Sequence, residues 1–190
     1  MNMNINKQIK FILAISLQIF IFFTLILFKN SMINTGTEFV FKVEQAYTIH
    51  PPIGNYVNLK YNISDINLGL FGNEKIKSGD IIYVLLQKQK NYWTIKKAQK
   101  SIPENQSFIK GQVSYVESEK YIQTPKKSDN RKVYMNYGIE QYYISKKRAL
   151  ELSNNPIKET TKNKPLASIV ITKNGNAMIK QIYIDNKPWL

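Results

Sequence analysis

The chain has 190 residues and no cysteine, and its 27 basic residues outnumber its 13 acidic ones, for a formal net charge of +14. The absence of cysteine excludes disulfides, thiolate zinc sites and cysteine nucleophiles. After position 30 there remain 24 basic and 13 acidic residues, an excess that favours anionic neighbours such as phospholipid headgroups, an envelope polymer or nucleic acid. The alternative explanation is compositional bias, because isoleucine, lysine and asparagine together make up 72 residues.

Residues 11–28 form an uncharged apolar run, which as a helix would be roughly 27 Å long and would cross a bilayer. Lys7 and Lys10 precede the run and Lys29 follows it, so we expect the N-terminus in the cytoplasm and the remainder outside. A cleaved signal peptide is the alternative, but no small-x-small cleavage site follows the run. The predicted parts are a cytoplasmic N-terminus (1–10), a transmembrane anchor (11–28), a linker (29–36) and an extracytoplasmic β domain (37–190).

Beyond residue 36, apolar and polar residues alternate with the period of two that is typical of half-buried strands. One short helix is predicted over 146–152, with Ser145 as its N-cap and Asn154-Asn155-Pro156 as its stop. We therefore expect a mainly β fold, an antiparallel β sandwich or small barrel with one short helix, preceded by one N-terminal transmembrane helix. Predicted strands are 38–43, 56–63, 81–89, 92–98, 108–116, 133–137, 139–144, 166–173 and 177–184, with loops at 118–132 and 155–165.

The last two predicted strands flank Asn174-Gly175, a pair that suits a two-residue type I′ hairpin turn. In that register Ile171 faces Met178 and Ala167 faces Ile182. Val170 then faces Ile179 on the other side of the sheet.

Few residues support a catalytic or metal site. His50 is the single histidine, and its place before two prolines suits a surface loop better than a ligand set. No HExxH, P-loop or GxGxxG motif occurs, so no metal and no cofactor is predicted.

One enzymatic alternative rests on Ser31, which follows the apolar run as the nucleophile does in membrane-anchored signal peptidases. The stretch Ser78-Gly79-Asp80 lies downstream, but Asn34 stands where their serine box carries proline. Without a desolvated lysine nearby, Ser31 is a poor nucleophile. The lysine box of these peptidases is absent. The candidates for the lysine of a Ser–Lys dyad are Lys88, Lys90, Lys96 and Lys97.

The stretch GNYVNLKY at positions 54–61 is predicted to begin a strand. Gly54 supplies positive φ for the preceding turn and Asn55 tolerates similar geometry. Because side chains alternate along a strand, Leu59 and Tyr61 should be core residues on one face, with Val57 and Ile63. Tyr56 lies on the other face, where it either covers a neighbouring loop or contacts a partner.

This stretch resembles the motif of the GDYXXLXY family of bacterial membrane-anchored proteins. The order of later segments fits as well, namely Gly79–Leu86, Ile109–Val113, Asn136–Ile144, the Asn174-Gly175 hairpin and Tyr183–Trp189. The family motif has aspartate where this chain has Asn55, and Lys146 stands where an acidic residue often follows. The resemblance implies an extracytoplasmic protein that acts beside a polytopic membrane protein, and it implies no reaction.

The sequence therefore predicts an interaction or accessory module of the cell membrane rather than an enzyme. Its expected partners are the bilayer, through residues 11–28, an integral membrane protein and an anionic envelope surface. Nucleic acid is not expected outside the cell. The candidate interaction residues are Gly54, Asn55, Tyr56, Leu59 and Tyr61.

Overall fold

The computed structural model describes residues 5–49, 55–117, 131–147, 165–184 and 187–189. The chain forms two compact units, Met1–Gly36 and Thr37–Leu190. The residue Gly54 and the lone histidine of the sequence lie outside the described residues.

The first unit contains one helix, α1 (Ile5–Thr35), of 31 residues. Its stretch Gln8–Leu27 is long and apolar enough to cross a membrane. The helix also includes residues 29–35, which the sequence pattern had assigned to a linker, because no glycine or proline interrupts it before Gly36. The hydroxyl of Thr35 donates a hydrogen bond to the carbonyl four residues earlier (2.8 Å), so this side chain is satisfied within the helix.

The second unit is built from antiparallel strands, most of which match the strands predicted from the alternating pattern. A single turn of 3₁₀-helix, Leu68–Phe71, follows β3. Among the described residues the strands are β1 (Thr37–Ile49), β2 (Asn55–Tyr61), β3 (Asp65–Asn67), β4 (Ile81–Gln89), β5 (Tyr92–Gln99), β6 (Phe108–Val116), β7 (Lys132–Asn136), β8 (Gln141–Ile144), β9 (Leu166–Ile171), β10 (Ala177–Ile184) and β11 (Lys187–Pro188).

These strands form two sheets, one with the order β11-β10-β9-β1-β2-β8 and the other with the order β3-β7-β6-β4-β5. Every described strand pair is antiparallel. The inward-facing apolar residues of both sheets belong to one core cluster. The mainly β, antiparallel prediction is therefore confirmed. The largest fully buried side chains are Tyr61, Phe41, Phe71, Ile63, Ile66, Ile82, Ile109, Ile139, Ile169 and Ile182.

Side chains from β1 and β5 join the two sheets along one side. The rings of Phe39 and Trp93 meet edge to face, with 4.8 Å between their centroids. The side-chain amide of Asn62, just after β2, donates to the backbone carbonyl of Trp93 (2.8 Å). An aromatic contact and a hydrogen bond thus hold the same residue of β5 against the first sheet.

The turn between β9 and β10 joins the sheets at a second place. The backbone N–H of Lys110 in β6 donates to the carbonyl of Gly175 (2.9 Å). A Cβ at Gly175 would lie 2.7 Å from the ring of Phe108. Only a glycine allows the turn to approach β6 this closely.

This turn differs from the predicted type I′ turn. Ile171 pairs with Ala177, and Val170 pairs with Met178, so the predicted pairing of Ile171 with Met178 is wrong. The cause is a connection one residue longer than predicted. The N–H of Gly175 donates to the carbonyl of Thr172 (2.9 Å).

The three residues 173–175 form the connection, and Gly175 alone among them has positive φ, at 82°. Three-residue hairpins commonly end on such a residue. A bulge between Ile179 and Gln181 then restores the predicted pairing of Ala167 with Ile182. The error in the turn therefore affects only the first half of the hairpin.

The predicted helix after β8 can be followed for two residues. Lys146 and Lys147 are helical, and 148–152 lie outside the described residues. Most of the two predicted loops, 118–132 and 155–165, also falls outside that part of the chain.

We predict that Gly175→Ala destabilises the β unit more than Gly79→Ala does. Both glycines have positive φ, 82° and 90°, but a Cβ at Gly79 meets nothing within 4 Å. The backbone conformation should cost about 1–2 kcal/mol in each variant, and crowding should add about 1–3 kcal/mol at Gly175. Chemical unfolding of the full chain in detergent measures the difference, and equal losses would contradict the close approach.

Candidate functional site

The motif strand β2 has the register that the sequence predicted. Val57 is fully buried, Leu59 is 3% exposed and Tyr61 is fully buried, which confirms that the last two belong to the core. Asn55 is the first residue of the strand. Two candidate residues, Leu59 and Tyr61, are therefore interior and cannot contact a partner in the folded protein.

Tyr61 forms half of a reciprocal pair with Tyr137, and we call these two residues the tyrosine pair. The Tyr61 hydroxyl donates to the carbonyl of Ile139 (2.7 Å), two residues after Tyr137. The Tyr137 hydroxyl donates to the carbonyl of Ile63 (2.7 Å), two residues after Tyr61. Each ring thus satisfies a backbone carbonyl in the segment that carries the other.

Backbone hydrogen bonds support the same junction. The N–H of Tyr61 donates to the hydroxyl of Ser64 (2.9 Å), and the Ser64 carbonyl accepts from Met135 (2.9 Å). The carbonyl of Glu140 accepts from the N–H of Leu59 (2.7 Å). The turn after β2 is therefore held against both the end of β7 and the loop before β8.

Burial keeps both phenols of the tyrosine pair neutral. Desolvation, with a smaller contribution from the Glu140 carboxylate, raises the pKa of Tyr61 and of Tyr137 above the usual value for tyrosine. A neutral phenol can donate the observed hydrogen bonds. Neither phenol can serve as a base or a nucleophile near neutral pH.

A glycine on β6 makes room for this pair. A Cβ at Gly111 would lie 2.7 Å from the ring of Tyr137, closer than atoms of a folded protein can pack. The glycine in the segment Ile109–Val113 is thus explained by the approach of this ring.

The opposite face of β2 points away from the core. Tyr56 pairs with Tyr143 of β8, and Asn58 pairs with Gln141. The two rings are 5.7 Å apart, and Tyr143 is 68% exposed. Because β8 is the last strand in its sheet, these side chains form an aromatic and amide surface at a sheet edge. We call Tyr56, Asn58, Gln141 and Tyr143 the motif face.

A polar cleft of about 270 Å³ lies beside the motif face. Lys60 lines it and forms a salt bridge with Asp65 (2.6 Å). Tyr134 lines it as well, and its hydroxyl donates to Glu117 (2.8 Å). This hydrogen bond raises the pKa of Tyr134 to about 12, so the phenol is neutral. Lys60 and Asp65 therefore pair with each other, and the third charged group of the lining, Glu140, accepts from the N–H of Tyr137. These groups do not form an open acid and base pair.

The serine of the enzymatic alternative is part of a helix. Ser31 lies within α1, and its carbonyl accepts the hydrogen bond from Thr35. The candidate lysines belong to β4, β5 and the turn between them, in the other compact unit. Downstream, Ser78 donates to the carbonyl of Ser114 (2.7 Å), and Asp80 accepts from the N–H of Lys77 (2.8 Å). The Ser-Gly-Asp stretch thus forms the turn before β4.

Sequence reasoning missed three residues of this region, Tyr137, Tyr143 and Glu140. All three lie in the segment 136–144, whose alternation predicts strands but gives no special role to any of these side chains. Their signal is the sequence Asn136-Tyr137-Gly138, in which the glycine has a φ of 78° and reverses the chain next to a buried ring. No group of three or more residues that could hold a metal ion occurs in the part of the chain that the structure describes.

The fold and site define a class: an antiparallel β unit preceded by a helix compatible with membrane anchoring, with a motif strand that is half interior and half surface. The sequence model of the family described as GDYXXLXY protein matches residues 18–182. This match covers most of the chain, and the chain belongs to the GDYXXLXY family. No curated protein and no solved structure matches it.

We predict that Tyr61→Phe and Tyr137→Phe each lower the free energy of unfolding by about 1–3 kcal/mol, because each leaves a buried carbonyl without its donor. Tyr115→Phe is the control, since Tyr115 is 49% exposed and should change stability by less than about 0.5 kcal/mol. Urea unfolding of the full chain in detergent measures all three. A loss at Tyr61 or Tyr137 no larger than at Tyr115 would exclude a stabilising role for these hydroxyls.

Proposed function

We propose that the protein is a membrane-anchored extracytoplasmic interaction module that binds an integral membrane protein through the motif face. The observation that carries this proposal is the division of the motif strand. Its interior residues are buried in the core. Tyr56 and Asn58, on the other face, lie beside Tyr143, which is 68% exposed. Tyrosines at a sheet edge offer large contact area with little loss of side-chain freedom on binding.

The orientation rests on the charges that flank the apolar helix. Lys7 precedes the span Gln8–Leu27, and Lys10 lies near its start. Positive charge on the segment that leads into an apolar helix favours retention of that segment in the cytoplasm. The β unit is then extracytoplasmic, on the side where a nucleic acid partner is not expected.

Binding is favoured over catalysis by the chemistry of the described groups. In the cleft beside the motif face, the Asp65 carboxylate is paired with Lys60. The phenol of Tyr134 donates to Glu117 and is neutral at physiological pH. Ser31 lies within a helix of the other unit, and no observation pairs it with a base. A hydrolytic role is therefore not part of the proposal.

The experiment places a photoreactive phenylalanine analogue at Tyr143 of the full-length chain in native membranes. We expect a crosslink to an integral membrane protein, and we expect Tyr56→Ala to reduce it. The matched control carries the same probe at Tyr115, which is also exposed but lies on β6 of the other sheet.

The stability of the crosslinking variants separates contact from folding. Tyr143→Ala should leave the melting temperature nearly unchanged, because the ring is mostly in solvent, yet it should abolish copurification of the captured protein. Equal crosslinking from positions 143 and 115 would contradict a specific contact at the motif face.

A further inference from the structure

The hairpin of β4 and β5 carries a charge of one sign only. Between residues 81 and 99 every charged side chain is a lysine, and all of these lysines are exposed. None forms an ion pair with another described residue. We call this element the lysine hairpin, and its lysines are Lys88, Lys90, Lys96 and Lys97.

Several other lysines of the β unit form salt bridges. Lys60 holds Asp65 at 2.6 Å and Lys100 holds Asp80 at 2.8 Å. Lys180 likewise forms a salt bridge with Glu38. The lysine hairpin differs in that four lysines lie on one element that has no carboxylate of its own, so its charge is not neutralised by the described residues.

Aromatic rings lie at the tip of the lysine hairpin. The ammonium group of Lys42, on β1, lies 3.7 Å from the centre of the Tyr92 ring, which brings a further positive charge to the tip. Trp93 follows and is half-buried against Phe39. Lysine next to tyrosine and tryptophan is the composition that proteins use at the boundary between water and lipid.

Local structure does not explain all of these lysines. Lys96 is the extra residue of a bulge, and bulges and lysines on an edge strand such as β5 also prevent unwanted strand pairing. Lys90 is different, because it occupies the hairpin turn with a φ of 53°, a conformation that favours glycine or asparagine. Lys88 pairs with Trp93 of β5 and lies beyond Ile81–Leu85, the part of β4 that pairs with β6, so edge protection applies to it as well.

The connection to α1 limits how far the β unit can be from a bilayer. The apolar span ends at Leu27, the helix ends at Thr35 and β1 begins at Thr37. Eight helical residues after the span extend by about 12 Å, compared with about 5–8 Å for the headgroup layer on each side of the hydrocarbon core. A domain on so short a connection has lipid headgroups within reach of its surface.

We propose that the lysine hairpin docks on anionic lipid headgroups of the bilayer that α1 crosses, and so fixes the orientation of the β unit. Charge complementarity and the short connection select this occupant. The proposal does not depend on the motif face, which lies on other strands and would stay available for a protein partner. Each lysine near an anionic surface should strengthen docking by about fivefold, and added salt should weaken it because the screening length is about 10 Å at 0.1 M ionic strength.

The test uses the full-length chain in nanodiscs. The chain has no cysteine, so Asn91→Cys gives a single labelling site at the hairpin tip for a fluorophore. Headgroup spin-labelled lipid then reports contact by quenching. We expect strong quenching in discs that contain 30% phosphatidylglycerol, weak quenching in phosphatidylcholine discs, and loss of the difference in 0.5 M salt.

The charge variants decide between docking by this surface and a general effect of net charge. Replacement of the four hairpin lysines by glutamine should reduce quenching in anionic discs to the level seen in neutral discs. The matched control removes the same charge from exposed positions elsewhere, namely Lys75, Lys77, Lys173 and Lys187, and should leave the quenching nearly unchanged.

Three results would overturn the proposal. Quenching that is equal in anionic and neutral discs would show that headgroup charge is not recognised. Equal effects of the two sets of glutamine variants would show that the lysine hairpin is not the docking surface. Absence of quenching in anionic discs, together with a fluorescence change of the tip label when a soluble glycerol phosphate polymer is added, would instead assign the lysines to an envelope polymer.

Discussion

The reciprocal hydrogen bonds of Tyr61 and Tyr137 are the interaction on which the arrangement of this site depends. Two segments distant in sequence, the turn after β2 and the loop before β8, each present a buried carbonyl that the other segment's tyrosine satisfies. A buried carbonyl that loses its hydrogen-bond donor lowers the stability of the fold. If either segment moved away, the carbonyl of the other segment would lose its donor. The pair therefore fixes the position of β8 beside β2 at the edge of the first sheet.

That constraint explains how one short motif serves two purposes. Because Tyr61 is held inside, the alternation of the strand directs Tyr56 and Asn58 outward, next to the Tyr143 and Gln141 side chains of β8. The motif is thus a structural element whose outer face is displayed at a defined place. Binding at the motif face and docking of the lysine hairpin would use different strands, so a membrane-held orientation could present the motif face to a neighbouring membrane protein.

The sequence was informative wherever a pattern of period two was decisive. It predicted the interior positions of Leu59 and Tyr61 and most strand bounds, since burial of one face selects the register. It was wrong at the last hairpin, where Asn174-Gly175 suited a two-residue turn but contact with β6 favours a longer one with glycine at the end. It also could not predict that the Tyr137 hydroxyl donates to the carbonyl of Ile63, because that contact joins residues 74 positions apart and no local pattern encodes it.

Amide hydrogen exchange in Tyr137→Phe tests the central claim most directly. The N–H groups of Leu59 and Met135 bond across the tyrosine pair's junction, whereas the N–H of Lys110 bonds to Gly175 at the other joint between the sheets. If the tyrosine pair holds the motif strand in place, exchange at Leu59 and Met135 should become at least tenfold faster, which corresponds to about 1.4 kcal/mol, while Lys110 keeps its protection relative to the wild type. Unchanged exchange at all three amides, or an equal loss of protection at all three, would contradict the account.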